Sequence, residues 1–77
     1  MNEYAKKIKT LISHNAGVEL PEMTNESHLA DDLNLGELEI TELIEEIEDM
    51  FDVDLAEYKD TIETVGDLIT AVAECLE

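Results

Sequence analysis

Apolar residues recur at helical spacing in three stretches of the chain and lose that period between them. Tyr4, Ile8, Leu11 and Ile12 share one face of a segment over 3–15, with lysines between them, and Asn15 and Gly17 supply a stop. Over 37–51, Ile40, Leu43, Ile44, Ile47 and Phe51 form one stripe, and Glu42, Glu45, Glu46 and Asp49 fall on the other side. Gly36 fits the N-cap of that helix, with Glu39 three residues on in capping-box register. Glu37 and Glu39 also suit the positive end of its dipole. The last helix is predicted over 65–76, with Thr64 as N-cap and Asp67 reaching back to it. Val65, Leu68, Ile69, Val72 and Leu76 form its expected buried stripe.

Residues 16–36 carry no sustained period and are punctuated by Pro21, Asn25, Asn34 and Gly36. So long a loop in a small domain needs anchoring. Val18, Leu20, Met23, Leu29, Leu33 and Leu35 are scattered through it and read as pins against the helices. Asp52-Val53-Asp54-Leu55 is a short connection, followed by a brief helical turn near 56–60. No alternating strand pattern and no repeat is present. The expected fold is a small all-α bundle of three main helices and one minor one.

At 77 residues, the chain fits a single domain spanning 1–77. Its 44% apolar content separates it from disordered chains, despite a net charge of −17. That charge repels phosphate backbones and anionic bilayers, so neither nucleic acid nor membrane is an expected partner. It is also unevenly spread. Residues 1–18 hold one acid against Lys6, Lys7 and Lys9, a net of +2; residues 19–77 hold twenty acids against Lys59, a net of −19. The expected partner is a protein with a basic patch, held by salt-sensitive contacts. The same charge opposes self-association, so a monomer is expected. Cys75 is alone and cannot form an internal disulfide, no apolar run reaches a membrane span, and no signal peptide is visible, which together suggest a cytoplasmic protein.

Leu38 breaks the pattern of its helix. It lies roughly 160° from the centre of the apolar stripe, so it points into the acidic face beside Glu42, Glu45 and Asp49. One reading is an apolar contact ringed by acids, suited to a basic groove with an apolar pocket. The other is that Leu38 tucks under the long loop.

The run from Asp31 through Leu33, Leu38 and Leu43 to Phe51 and Asp52 resembles the acyl carrier protein family, whose pattern there is roughly E-D-L-G-x-D-S-L-D-x-V-E-L-V-x-x-L-E-E-x-F. Thr24-Asn25-Glu26-Ser27-His28-Leu29 is similar to the family's preceding loop, and Ile62-Glu63-Thr64-Val65-Gly66-Asp67-Leu68 to its approach to the last helix. With the first helix included, the resemblance spans essentially the whole chain. It implies a four-helix bundle with a long first loop. It also implies a 4′-phosphopantetheine arm on the serine of D-S-L, whose thiol carries acyl intermediates, and enzymes that recognise the acidic second helix through basic patches.

The departure lies at that serine. A gap-free alignment places Glu37 on it and Gly36 on the preceding aspartate. Attachment needs a hydroxyl to attack the pyrophosphate of coenzyme A, and a carboxylate cannot form that stable phosphodiester. No phosphopantetheine is therefore expected at Glu37. Ser13 and Ser27 are the other serines; Ser27 matches a loop serine that does not carry the family's arm, and Thr41 lies a full turn inside the helix. Thr41 and Glu45 also stand where family members often have apolar docking residues. The expected partner face is Leu35, Glu37, Leu38, Glu39, Thr41, Glu42, Glu45, Glu46 and Asp49.

Other constellations are weaker. Asp49, Asp52 and Asp54 lack the glycine and closing glutamate of a calcium loop. Nine acids between 37 and 54 suit weak, non-specific divalent binding and no specific metal site. His14 and His28 have no second ligand at metal spacing. Cys75 lies near an apolar stripe and is expected to pack rather than react. No nucleophile–base pattern or phosphate loop points to an enzyme. The favoured function is a carrier-like docking domain without its arm. The alternatives are a true acyl carrier armed on an unexpected residue and a structural subunit of a larger complex.

Overall fold

The computed structural model describes residues 3–76. Three α-helices, α1 (Glu3–Ala16), α2 (Glu37–Phe51) and α3 (Val65–Leu76), alternate with two single 3-10 turns at Leu20–Glu22 and Ala56–Tyr58. The fold is all-α, and α1 packs against both other helices. The minor helix expected near 56–60 is one 3-10 turn, so the α-helix count is three. The Cα radius of gyration is 11.1 Å, close to the roughly 11.5 Å of a compact chain of this length.

The core collects the apolar stripes. Ile8 and Ile12 from α1, Leu43, Ile44 and Ile47 from α2, and Val65, Leu68, Ala71 and Val72 from α3 are buried together. Tyr4, Leu11, Ile40, Phe51 and Ile69 pack at its margin. Leu76 departs from its expected stripe: it is 47% exposed, because the last turn of α3 runs past the end of the core. Cys75 is partly buried at that margin, and its thiol donates to the Asp54 carbonyl at 3.5 Å.

Helix α1 ends one residue later than the pattern suggested. Asn15 is helical, and its side-chain amide donates back to the Leu11 carbonyl at 2.8 Å. Gly17 makes the stop, with φ +71° and its N–H on the Ser13 carbonyl at 2.9 Å.

Met23, Leu29, Leu33 and Leu35 pin the long loop by burial in the core, and Val18 packs at its margin. Leu20 does not act as a pin; it is 42% exposed within the first 3-10 turn. Hydrogen bonds finish the anchoring. His28 and Thr64 form an isolated antiparallel bridge. Around it, the Leu29 N–H donates to the Glu63 carbonyl at 2.9 Å, and the Val65 N–H to the Ser27 carbonyl at 3.0 Å. The loop is thereby fixed to the start of α3, and its far end delivers the chain to the start of α2.

Candidate functional site

The start of α2 is set by three consecutive residues. Asn34 has φ +58°, a left-handed conformation that asparagine tolerates better than most residues. The resemblance aligns it with a glycine of the family pattern. The turn it makes drives Leu35 into the core, with the Leu35 N–H on the Leu29 carbonyl at 3.0 Å. Gly36 follows in extended backbone as the N-cap.

Only half of the expected capping box forms here. The Glu39 carboxylate accepts from the Gly36 N–H at 2.7 Å, and glycine has no side chain to return the bond. Neither backbone nor space requires glycine: φ is −75°, and an added Cβ would meet the Glu39 Oε1 at an ordinary 3.4 Å. The start of α3 shows the complete device. Thr64 Oγ1 accepts from the Asp67 N–H at 3.1 Å, and Asp67 Oδ2 accepts from the N–H groups of Glu63 and Thr64 at 3.1 Å each. Donation from Glu63, then from the Thr64 amide and hydroxyl, outweighs desolvation and holds the Asp67 carboxyl below its ordinary pKa; the charge of His28 adds to this.

Glu37 is the first helical residue and is exposed. Leu38, beside it, is 71% exposed, so it does not tuck under the loop. Glu39, Glu42, Glu45, Glu46 and Asp49 are exposed on the same helix. Thr41 is half-buried, and its hydroxyl donates to the Glu37 carbonyl at 3.0 Å. Leu35 must be removed from the expected partner face: only 5% of it is exposed, because the Asn34 turn points it inward.

The hydroxyls that could substitute for a serine at 37 are placed elsewhere. Ser13 lies at the end of α1, with its hydroxyl on the Val18 carbonyl. Ser27 lies in the loop beside α3, where its hydroxyl accepts from the Thr24 N–H at 3.1 Å. At the start of α2 the exposed side chain is the Glu37 carboxylate, and the nearest hydroxyl within the helix, Thr41, is turned back onto the backbone.

His28 lies on the loop with Nδ1 at 3.5 Å from Asp32 Oδ2, the same oxygen that accepts from the His28 N–H at 2.7 Å. Among the described residues, no three His, Cys, Asp or Glu side chains converge as a metal site, and no helix is long and apolar enough to cross a membrane.

Asn34, one of the residues that punctuate the loop in sequence, carries the turn before α2. Sequence patterning overlooked Gly66, which lets the loop approach α3. Its role depends on a partner 41 positions away in sequence, Asn25.

No protein-family model matches the chain. It is 36% identical over 66 residues to a protein named acyl carrier protein from Chlamydia felis (strain Fe/C-56), an alignment covering 84% of this chain and 85% of that protein. That identity extends over most of both chains. The chain belongs to the acyl carrier protein family.

Proposed function

We propose that this chain is an acyl-carrier-like docking domain, not an enzyme, that works without a phosphopantetheine arm. One observation carries the reading: Glu37 is exposed at the first position of α2, the position to which the resemblance assigns the family's attachment serine. The carboxylate supplies a fixed negative charge near the place where the arm's phosphate would sit. Leu38 beside it offers an apolar contact, and Glu39, Glu42, Glu45, Glu46 and Asp49 surround it with charge suited to a basic patch. The partners in this reading are acyl-carrier-dependent enzymes, and the domain meets them as a cytoplasmic monomer. Thr41 and Glu45 make the face more acidic and less apolar than the family pattern, which favours a specialised set of enzymes.

The test is intact mass after incubation with coenzyme A and a promiscuous phosphopantetheinyl transferase. The chain should leave the reaction unmodified. A stoichiometric phosphopantetheine adduct would overturn the reading in favour of a true carrier. The paired Gly36→Asp/Glu37→Ser variant should gain the adduct, since the space beside Gly36 admits a side chain. For docking, Leu38→Ala and the charge reversals Glu42→Lys and Glu45→Lys should each weaken capture of a carrier-dependent enzyme. Unchanged capture by all three would place docking elsewhere.

A further inference from the structure

The acidity of this chain has one reversal, on α1. Helix α2 carries seven acids and no base, and α3 carries Asp67 and Glu74 and no base, whereas α1 carries Lys6, Lys7 and Lys9 against Glu3. An open groove of about 850 Å3 runs between this face of α1 and the end of α2. Leu11 and Met50 supply its apolar surface, and Lys6, Lys7 and His14 its polar rim, with Glu3 the one acid lining it. Met50 is 49% exposed, although its neighbours Ile47 and Phe51 turn toward the core.

Among the described residues, neither Lys6 nor Lys7 lies within 4 Å of a carboxylate; the one such contact is between His28 and Asp32. Two ammonium groups over an apolar surface match a ligand with one negative end and one oily end. The groove is of the size that takes small molecules.

We propose that this groove binds a free anionic amphiphile: one carboxylate or sulfate on an unbranched apolar tail. The tail covers Leu11 and Met50, and the anion sits between Lys6 and Lys7. Burial of the tail supplies the larger part of the attraction. The rim cations lie within a few ångströms of the anion, while charge farther than about 8 Å is largely screened at physiological ionic strength. A single anion therefore meets the rim before it meets the net charge of −17. An anionic bilayer would face the whole acidic surface at once and is repelled. This inference is independent of whether Glu37 carries an arm.

The experiment titrates the full chain with decanoate, below its micelle concentration, and follows backbone amide signals. Saturable shifts are expected at Lys6, Lys7, Leu11, His14 and Met50. Lys6→Glu/Lys7→Glu should weaken binding by at least about tenfold, through loss of attraction and added repulsion. Lys6→Arg/Lys7→Arg should keep it, and Met50→Glu should weaken it without altering the melting temperature. Decyltrimethylammonium, with the same tail and the opposite charge, should not saturate these amides. Four results overturn the proposal: no saturable shifts, shifts mapping elsewhere, equal affinity in the charge-reversed variant, or equal occupancy of the groove by the cationic amphiphile. Capture by phosphatidylglycerol vesicles without decanoate binding also overturns it, in favour of a membrane surface.

Discussion

The Gly66 N–H donates to the Asn25 carbonyl at 2.8 Å, and a Cβ on Gly66 would lie only 2.9 Å from that same oxygen. The contact joins the long loop to the first turn of α3 and leaves no room for a side chain. Gly66→Ala should therefore force backbone apart. A loss of about 1–3 kcal/mol is expected from such overpacking, and each kcal/mol lowers the melting temperature of a domain this small by about 4–8 °C. Thermal unfolding followed by circular dichroism measures it. An unchanged melting temperature would mean that the loop can lift from α3 without penalty.

Asp67 closes the complete capping box, and its pKa is depressed in the folded state. The native state thus holds the ionised form more tightly than the unfolded chain does. Its contribution is present above the ordinary aspartate pKa of about 3.9 and is lost as pH falls below it. Asp67→Asn should destabilise the domain at pH 7 by about 1 kcal/mol, as loss of a cap does. The gap between variant and parent should narrow below pH 4. Chemical denaturation at pH 7 and pH 3 checks both, and a gap that widens in acid would reverse the sign of the argument.

The left-handed turn at Asn34 directs Leu35 into the core. Asn34→Gly should leave stability within about 1 kcal/mol, because glycine adopts that conformation freely but orders at greater entropy. Asn34→Val should cost about 1–2 kcal/mol, since a β-branched residue is strained at positive φ. Equal melting temperatures for the two variants would show that the turn can re-form with negative φ.

Glu48, like Glu39 at the other end of α2, holds a backbone amide: its Oε2 accepts from the Leu55 N–H at 2.7 Å, in the connection to the second 3-10 turn. Glu48→Ala should cost about 1–3 kcal/mol by leaving that amide without its charged acceptor. Leu38→Ala, at an exposed side chain, should change stability by less than about 0.5 kcal/mol. The pair separates an acid that holds the fold from a leucine that is free to contact a partner. A large loss from Leu38→Ala would remove that distinction.

Much of this molecule is legible in the positions of its apolar residues. The limits of α2 and α3, the stripes that enter the core and the outward direction of Leu38 follow from a period of 3.6, a local property. Thr64 and Asp67 are also readable, because a capping box is closed within four residues. The resemblance placed Glu37 at the start of α2 by counting along the chain.

What sequence could not settle depends on residues distant along the chain. Leu20 and Leu35 are both leucines in the same loop, yet one is exposed and the other buried. The backbone turn at Asn34 and the reach of the core decide between them, and composition does not. Leu76 continues the apolar spacing of α3 beyond the place where other helices can cover it. Gly66 is required because Asn25 crosses in front of it, and Met50 shares a groove with Lys6 and Lys7 because α1 packs beside α2. The sequence by itself determined the helices, the family and the acidic face, since local spacing and charge carry them. Only the tertiary structure decided which leucines are core, where the loop is tied and which apolar residues the lysines of α1 border, because each depends on two segments meeting in space.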